Sequence, residues 1–142
     1  MADYDVIIAG GGLAGSISAQ SISYYSNQNL KILVIDRSPE YLPGRKSIAG
    51  WVCGDACSKE AVDFMSERIK VNWTKPEIEH DVKGVMAFSP DKKTSIPFDG
   101  DGFMLNRTKL PEIQNERCRK IGIEFEFERN ITGLIYDDQQ VV

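Results

Sequence analysis

The sequence predicts an α/β fold that opens with two parallel strands joined by a helix. Two short, continuous apolar runs, at 5–10 and 31–37, are typical of strands buried on both faces. Between them, 13–26 carries apolar residues among small ones, which predicts a tightly packed helix. Farther along, strands and helices stop alternating regularly, so we expect an inserted antiparallel hairpin.

The rest of the chain predicts two more helices and several strands. Ser58 is a candidate N-cap for a helix over 58–70, and Thr108 for a helix over 108–122 that ends at Gly122. The predicted strands are 85–88 and 94–98, paired around a Ser-Pro-Asp-Lys-Lys turn, then 102–106, 123–128 and a closing hairpin that turns at Asp137-Asp138.

Composition excludes several classes of function. The chain has 142 residues, 42% of them hydrophobic, which suffices for one domain with a core. A net charge of −4 argues against a nucleic-acid partner. No run approaches the roughly 20 apolar residues that span a bilayer, and the N-terminus does not resemble a signal peptide. With an odd count of three cysteines, these features predict a cytoplasmic protein in a reducing compartment.

The most informative motif is Gly-x-Gly-x-x-Gly at Gly10, Gly12 and Gly15. It follows a predicted strand, opens a helix and precedes Asp36 at the end of the next strand, which is the arrangement of a Rossmann-like dinucleotide site. Gly10 would permit the tight turn, Gly12 would let a diphosphate approach the backbone, and Gly15 would let the helix pack closely. The helix N-terminus would then bind the diphosphate, and Asp36 the ribose hydroxyls.

The segment after Asp36 favours FAD over NAD as the dinucleotide. A NAD domain would continue with a helix and a third strand, whereas here a long loop with glycines and cysteines follows. In flavoproteins with an N-terminal FAD fold, such a loop runs along the cofactor toward the isoalloxazine. Asp36 would also repel the 2′-phosphate of NADP.

Within that loop, Trp-Val-Cys-Gly-Asp-Ala-Cys at 51–57 has four competing interpretations. Zinc is disfavoured by the spacing of Cys53 and Cys57 and because Cys118 and His80 are the only further thiol and imidazole, so we predict no metal. A Cys53–Cys57 disulfide is disfavoured by a reducing compartment. In the third interpretation, the two cysteines are small, half-buried loop residues. In the fourth, residues 53–56 lie against a flavin.

Four stretches, in this order and spacing, resemble the N-terminal part of the geranylgeranyl reductase family: YDVIIAGGGLAGS, ILVIDRSPE, PGRK followed by VCGDACSKE, and GDGFMLNR. The resemblance covers essentially the whole chain. It is strongest to the archaeal digeranylgeranylglycerophospholipid reductase-like enzymes, which saturate isoprenoid chains of membrane ether lipids. The family belongs to the p-hydroxybenzoate hydroxylase-like class of FAD proteins, so the resemblance implies a Rossmann-like FAD-binding unit with FAD as cofactor.

The resemblance also implies which residues contact the cofactor. They are Gly10, Gly12, Ala14 and Gly15 at the diphosphate, Asp36 at the adenosine ribose, Cys53, Gly54 and Ala56 near the flavin, Arg107 at the cofactor, and Ile131 near the adenine. One departure concerns Arg107, because many members have Leu-Asp-Arg where this chain has Leu-Asn-Arg. Arg107 is equally well explained as a solvated charge before a helix.

The reaction that the resemblance implies is reduction of an isolated C=C bond by hydride from reduced flavin, with a proton added to the other carbon. Cys53 is the candidate proton donor, since a thiol is mostly protonated at pH 7. A structural contact with the flavin is the other role open to Cys53. The implied partners are a prenylated lipid, a reduced electron donor (NAD(P)H or ferredoxin) and, peripherally, the membrane.

We expect residues 1–142 to be the N-terminal portion of an FAD-binding domain, with 82–105 as a substrate-side hairpin and strand. Because family members continue well past this length, the domain is expected to be incomplete and inactive by itself. Two alternatives stay open. One is a noncatalytic FAD- or nucleotide-binding fragment or subunit, and the other is a flavin monooxygenase of the same fold.

Overall fold

The computed structural model describes residues 3–40, 55–137 and 140–141. Cys53 and Gly54, predicted to lie near a flavin, fall outside the described residues. The elements, in chain order, are β1 (Val6–Ala9), α1 (Leu13–Tyr25), β2 (Ile32–Ile35), β3 (Ala56–Ser58), α2 (Lys59–Ile69), β4 (Ile78–Phe88), β5 (Ser95–Leu105), α3 (Leu110–Lys120), β6 (Glu124–Glu126), β7 (Tyr136–Asp137) and β8 (Gln140–Val141). Among the helices described, none is long and apolar enough to cross a membrane.

The chain divides into two compact units, the first made of Met1–Trp51 with Pro111–Val142 and the second of Val52–Leu110. In the first unit, β1, β2 and β6 form a parallel sheet in the order β1-β2-β6. The predicted parallel strand–helix–strand unit is therefore confirmed. Among the described residues of this unit, one buried core cluster contains Ala19, Ile32, Val34, Cys118 and Ile123.

The predicted burial of both faces holds for β2 but is wrong for β1. Ile32 and Val34 are each 1% exposed, whereas Ile7 is 53% exposed. The reason is position in the sheet, because β2 has a strand on each side and β1 pairs with β2 alone among the described strands.

Helices α1 and α3 meet through polar side chains rather than a purely apolar seam. The Gln114 side-chain amide donates to Gln20 Oε1 at 2.6 Å, and the Cys118 thiol donates to the Ser16 carbonyl oxygen at 3.3 Å. Ser16 and Ala19 are fully buried. The small residues of α1 allow this close approach, as the sequence predicted.

The second unit is an antiparallel sheet in the order β3-β5-β4. The predicted hairpin pairing is confirmed, with Val85 opposite Phe98. The predicted bounds are wrong in two ways, because the hairpin begins at Ile78 and because 102–106 is mostly the end of β5 rather than a separate strand. Gly102 explains the second error: a Cβ there would lie 2.6 Å from the Cys57 carbonyl oxygen, so this glycine permits close strand approach and is not a turn.

The helix ends agree with the sequence except at the start of α3. Ser58 caps α2, its hydroxyl accepting from the Ala61 amide at 3.2 Å. At α3 the capping oxygen belongs to Asn106, which accepts from the amides of Thr108 and Lys109 at 3.1 and 3.0 Å. Thr108 is therefore a capped residue and not the cap.

The last predictions concern the carboxyl-terminal part of the first unit. Gly122 follows α3 with φ +86°, the left-handed conformation expected after a helix end. Strands β7 and β8 pair antiparallel, with Tyr136 opposite Val141, which confirms the closing hairpin. The predicted turn at Asp137-Asp138 is misplaced, because Asp137 lies in β7 and pairs with Gln140, and Asp138 lies outside the described residues.

Candidate functional site

The turn between β1 and α1 is built on glycine. Gly10 has φ +108°, a conformation that L side chains rarely adopt, and its amide donates to the Ile35 carbonyl oxygen at 2.8 Å. This hydrogen bond holds the turn against the end of β2. This geometry is the tight strand-to-helix turn that the sequence predicted for Gly10.

Gly15 and Gly12 have opposite surroundings. A Cβ on Gly15 would lie 1.8 Å from the Gly10 carbonyl oxygen and 3.5 Å from Ile8 Cγ2, so only glycine lets α1 pack this closely on the turn. A Cβ on Gly12 would meet no atom within 4 Å among the described residues. The described residues therefore leave room for a ligand to approach the backbone at Gly12.

No side chain of the described residues caps the N-terminus of α1. Gly12 is the N-cap residue, the Ser16 amide donates to its carbonyl oxygen at 3.0 Å, and the first turn contains no acidic residue. The amides that begin a helix have no acceptor within the helix, and they carry part of its positive dipole. Ala14, one of the predicted diphosphate contacts, is exposed at this end. These features are what an anion-binding helix N-terminus requires.

The Asp36 carboxylate is turned toward the glycine-rich segment. Its Oδ2 accepts from the Gly11 amide at 2.6 Å and its Oδ1 from the Ser38 amide at 2.6 Å. The Asp36 amide donates to the Glu126 carbonyl oxygen at 2.9 Å, which anchors the residue between neighbouring strands. Each carboxylate oxygen can accept a second hydrogen bond, so Asp36 is held in place and remains able to accept from ribose hydroxyls.

An aromatic side chain that the sequence analysis did not single out lies next to this turn. A Cβ on Gly11 would lie 3.5 Å from Phe127 Cε1, and Phe127 stacks on Phe125 with ring centroids 5.7 Å apart. Phe127 directly follows β6, so the carboxyl ends of all three parallel strands meet at this edge, where open α/β sheets bind ligands. The apolar alternation of 123–128 predicted the strand, but not that it joins the parallel sheet.

The second unit contains the remaining predicted residues that the structure describes, apart from Ile131. Arg107 Nε lies 3.4 Å from Asp55 Oδ1, and the Leu105 amide donates to the Asp55 carbonyl oxygen at 2.9 Å. Ala56 is exposed and opposite Met104 in the sheet. Arg107 therefore pairs with Asp55, a residue of the 53–56 segment that lies against a flavin in one interpretation of the sequence.

Two other predicted residues have less defined surroundings. Cys57 is a free, half-buried thiol in β3, and its partner in the disulfide interpretation, Cys53, lies outside the described residues. Ile131 belongs to the first unit, follows β6 in irregular backbone and is 40% exposed.

No protein-family model matches the chain. The digeranylgeranylglycerophospholipid reductase of Sulfolobus acidocaldarius is 38% identical over 122 residues, which are 85% of this chain and 24% of the reductase. A geranylgeranyl bacteriochlorophyll reductase-like structure from Thermoplasma acidophilum matches with a TM-score of 0.72 and 26% identity over 97% of this chain and 33% of its own. The resemblance to the geranylgeranyl reductase family is confirmed.

The predicted fold class is confirmed as well. The halogenase PltM, in a structure with phloroglucinol and FAD, superposes with a TM-score of 0.69 at 18% identity, covering 99% of this chain and 31% of the halogenase. At that identity the match concerns the fold. This geranylgeranyl reductase-like chain thus spans 24% to 33% of the length of these proteins.

Proposed function

We propose that this chain binds FAD and forms the dinucleotide-binding part of a flavin-dependent oxidoreductase that reduces isolated C=C bonds of geranylgeranyl chains in ether-lipid biosynthesis. The observation that carries the proposal is the Asp36 carboxylate held against the Gly11 amide, beside the uncapped N-terminus of α1. The similarity to reductases of that name supports the substrate class.

The described residues fit FAD at two chemically different points. The open backbone at Gly12 and the first amides of α1 suit an anionic diphosphate. The second oxygen lone pairs of Asp36 suit the two hydroxyls of an adenosine ribose, and a 2′-phosphate there would be repelled by the carboxylate. The start of α1 and Asp36 lie in the same unit, and together they would bind the ADP part of the cofactor.

We propose contacts with the flavin part of FAD for residues of the second unit and of the segment before its first described residue. Bound FAD supplies hydride chemistry, and the chain must position it and keep water out. Arg107 and Ala56 are proposed contacts, as are Cys53 and Gly54, with Cys53 the proposed proton donor. Residues 82–105 are the proposed substrate side. A prenylated lipid, an electron donor such as NAD(P)H or ferredoxin, and a peripheral membrane contact complete the proposal.

A titration tests the cofactor assignment. Purified protein stripped of flavin is mixed with FAD, and quenching of flavin fluorescence is followed with riboflavin as the matched control ligand. Because the proposed grip is on diphosphate and ribose, FAD should bind at least about tenfold more tightly than riboflavin. Equal affinity for the two flavins, or no binding of either, would contradict the proposal.

A reduction assay tests the reaction. A longer protein that contains this chain is loaded with FAD, reduced with dithionite and incubated with a geranylgeranyl ether lipid. Mass spectrometry should then show saturated chains, and an unchanged lipid would contradict the proposed reaction. In a preparation that turns over, Cys53→Ala should keep the flavin and lose most of the rate if the thiol donates the proton. An unchanged rate would leave Cys53 with a structural contact only.

A further inference from the structure

The chain segment that follows β6 runs beside Asp36, the residue proposed to bind the ribose of FAD. The Asp36 amide donates to the Glu126 carbonyl oxygen at 2.9 Å, and the Arg129 amide donates to the Asp36 carbonyl oxygen at 3.0 Å. These two hydrogen bonds hold residues 126–129 against the end of β2, within the first unit. A ligand held by the Asp36 carboxylate is therefore bordered by this segment.

Within that segment, the Phe127 ring lies close to the Asp36 carboxylate. Phe127 Cε1 and Asp36 Oδ2 each lie 3.5 Å from the position that a Cβ on Gly11 would take, so the two atoms are at most twice that distance apart. Phe127 is half-buried, so part of its surface stays accessible. In FAD the adenine is attached to the same ribose whose hydroxyls Asp36 is proposed to accept from, and this places the base within reach of the ring.

Neighbours in the same unit hold the Phe127 ring in place. It stacks on Phe125 with ring centroids 5.7 Å apart and ring planes 9° from parallel, and Phe125 packs against the buried core cluster. The Arg119 guanidinium lies 5.2 Å from the Phe125 centroid and 5.9 Å from the Phe127 centroid, and Arg119 also pairs with Glu40. A side chain that is already ordered loses little conformational freedom when a ligand binds.

We propose that Phe127 forms an aromatic wall of the adenine site and binds the base of FAD by packing its ring against the purine. The inference rests on the proposed function, and it adds a contact that the glycine-rich turn and Asp36 do not supply, since those act on the diphosphate and the ribose. Bases stack on aromatic side chains through their π-faces, and a purine has a larger face than a pyrimidine. Phe127 should therefore make the site prefer purine nucleotides.

Substitution of the ring tests the contact with FAD. Protein stripped of flavin is titrated with FAD, and quenching of flavin fluorescence gives the dissociation constant of the wild type, Phe127→Leu and Phe127→Tyr. Leucine keeps an apolar side chain without the flat ring, so Phe127→Leu should weaken FAD binding by about 5- to 20-fold. Phe127→Tyr keeps the ring and should bind FAD within about twofold of the wild type.

A competition experiment isolates the base. ADP and UDP share the diphosphate and the ribose, so the ratio of the concentrations at which they displace FAD reports on the base alone. This ratio does not change if part of a variant sample is unfolded. The wild type should prefer ADP over UDP by about fivefold or more, and Phe127→Leu should reduce the preference to less than about twofold.

Phe125→Leu is the matched control, because it makes the same replacement in the other ring of the stack. Phe125 packs against the core cluster, so its replacement should lower the midpoint of urea unfolding. It should nevertheless leave the preference for ADP over UDP within about twofold of the wild-type value.

The outcomes separate the inference from the proposed function. A wild type that binds ADP and UDP equally would overturn the aromatic contact without any variant, even if FAD binds. So would an unchanged preference in Phe127→Leu, or FAD binding by Phe127→Tyr that is as weak as that of Phe127→Leu. If the wild type binds FAD no more tightly than riboflavin, the proposed function fails and the inference falls with it.

Discussion

Gly15 and Gly12, at the start of α1, have different surroundings, so replacing them with alanine should have different effects. One replacement should lower stability, and the other should weaken FAD binding. Gly15→Ala places a Cβ 1.8 Å from the Gly10 carbonyl oxygen, so the backbone must shift. We expect it to lower the free energy of unfolding by about 2–4 kcal/mol in urea denaturation. Gly12→Ala meets no atom among the described residues, so it should change stability by less than about 1 kcal/mol yet weaken FAD binding. Equal stability of the two variants would contradict this assignment.

The Cys118 thiol makes stability depend on alkaline pH. Burial raises the pKa of Cys118 to about 11, whereas a thiol in an unfolded chain has a pKa near 8.5. The neutral thiol therefore stabilises the fold fully below about pH 8.5, and this contribution is lost as pH rises toward 11. It should amount to about 2 kcal/mol, measured as the difference between wild type and Cys118→Ala in the loss of unfolding free energy from pH 8 to pH 10.5. Parallel losses in the two proteins would refute it.

The sequence predicted the conformation of single residues where neighbours along the chain determine it. The φ of Gly10 and the orientation of Asp36 follow from a motif whose parts lie along one strand–helix–strand unit. The Asp55–Arg107 pair was not predictable, because its partners are brought together by the pairing of β3 with β5. Nothing in either residue's neighbours along the chain indicates the other.

At the level of elements, the start of α2 allows a test of capping. Ser58 Oγ accepts from the Ala61 amide, and Val62 and Ile69 bury the face of the helix that follows. Ser58→Ala should lower the free energy of unfolding by about 1 kcal/mol, because an amide of the first turn loses its acceptor. Ser58→Asp keeps an acceptor and places a negative charge at the positive end of the helix, so its stability should stay near that of the wild type. Equal losses in both variants would show that the hydroxyl does not act as a cap.

Helices and strands were predicted well where hydrophobic periodicity or a capping residue defines them. They were predicted poorly where pairing with a distant strand defines them. The three helices and the β4–β5 turn region follow from spacing, caps and turn residues. Strand β3 is three residues long and exists because β5 pairs with it. The sequence predicted 94–98 and 102–106 as separate strands, whereas both lie in β5, where Gly102 permits the close approach of Cys57. A single sequence does not show whether a glycine forms a turn or permits the close approach of a neighbouring strand.

For the molecule as a whole, the outer part of the β4–β5 hairpin exposes apolar side chains on both faces. Phe98 lies opposite Val85 on one face and is 54% exposed, and Phe88 points to the other face and is 63% exposed. Apolar surface of this kind on a two-stranded ribbon favours association with other molecules. The free protein should therefore self-associate as its concentration rises, which light scattering measures.

Replacing Phe88 and Phe98 together with Thr tests this expectation, since Thr retains a preference for strands while removing apolar area from each face. Because both rings are more than half exposed, the free energy of unfolding should change by no more than about 1 kcal/mol while self-association falls. Ile32→Thr is the control for a buried strand residue, at 1% exposure, and should cost about 2–4 kcal/mol. If the double Thr variant associates as readily as the wild type, the hairpin is not the surface responsible, and the exposed edge of β1 with Ile7 becomes the next position to substitute.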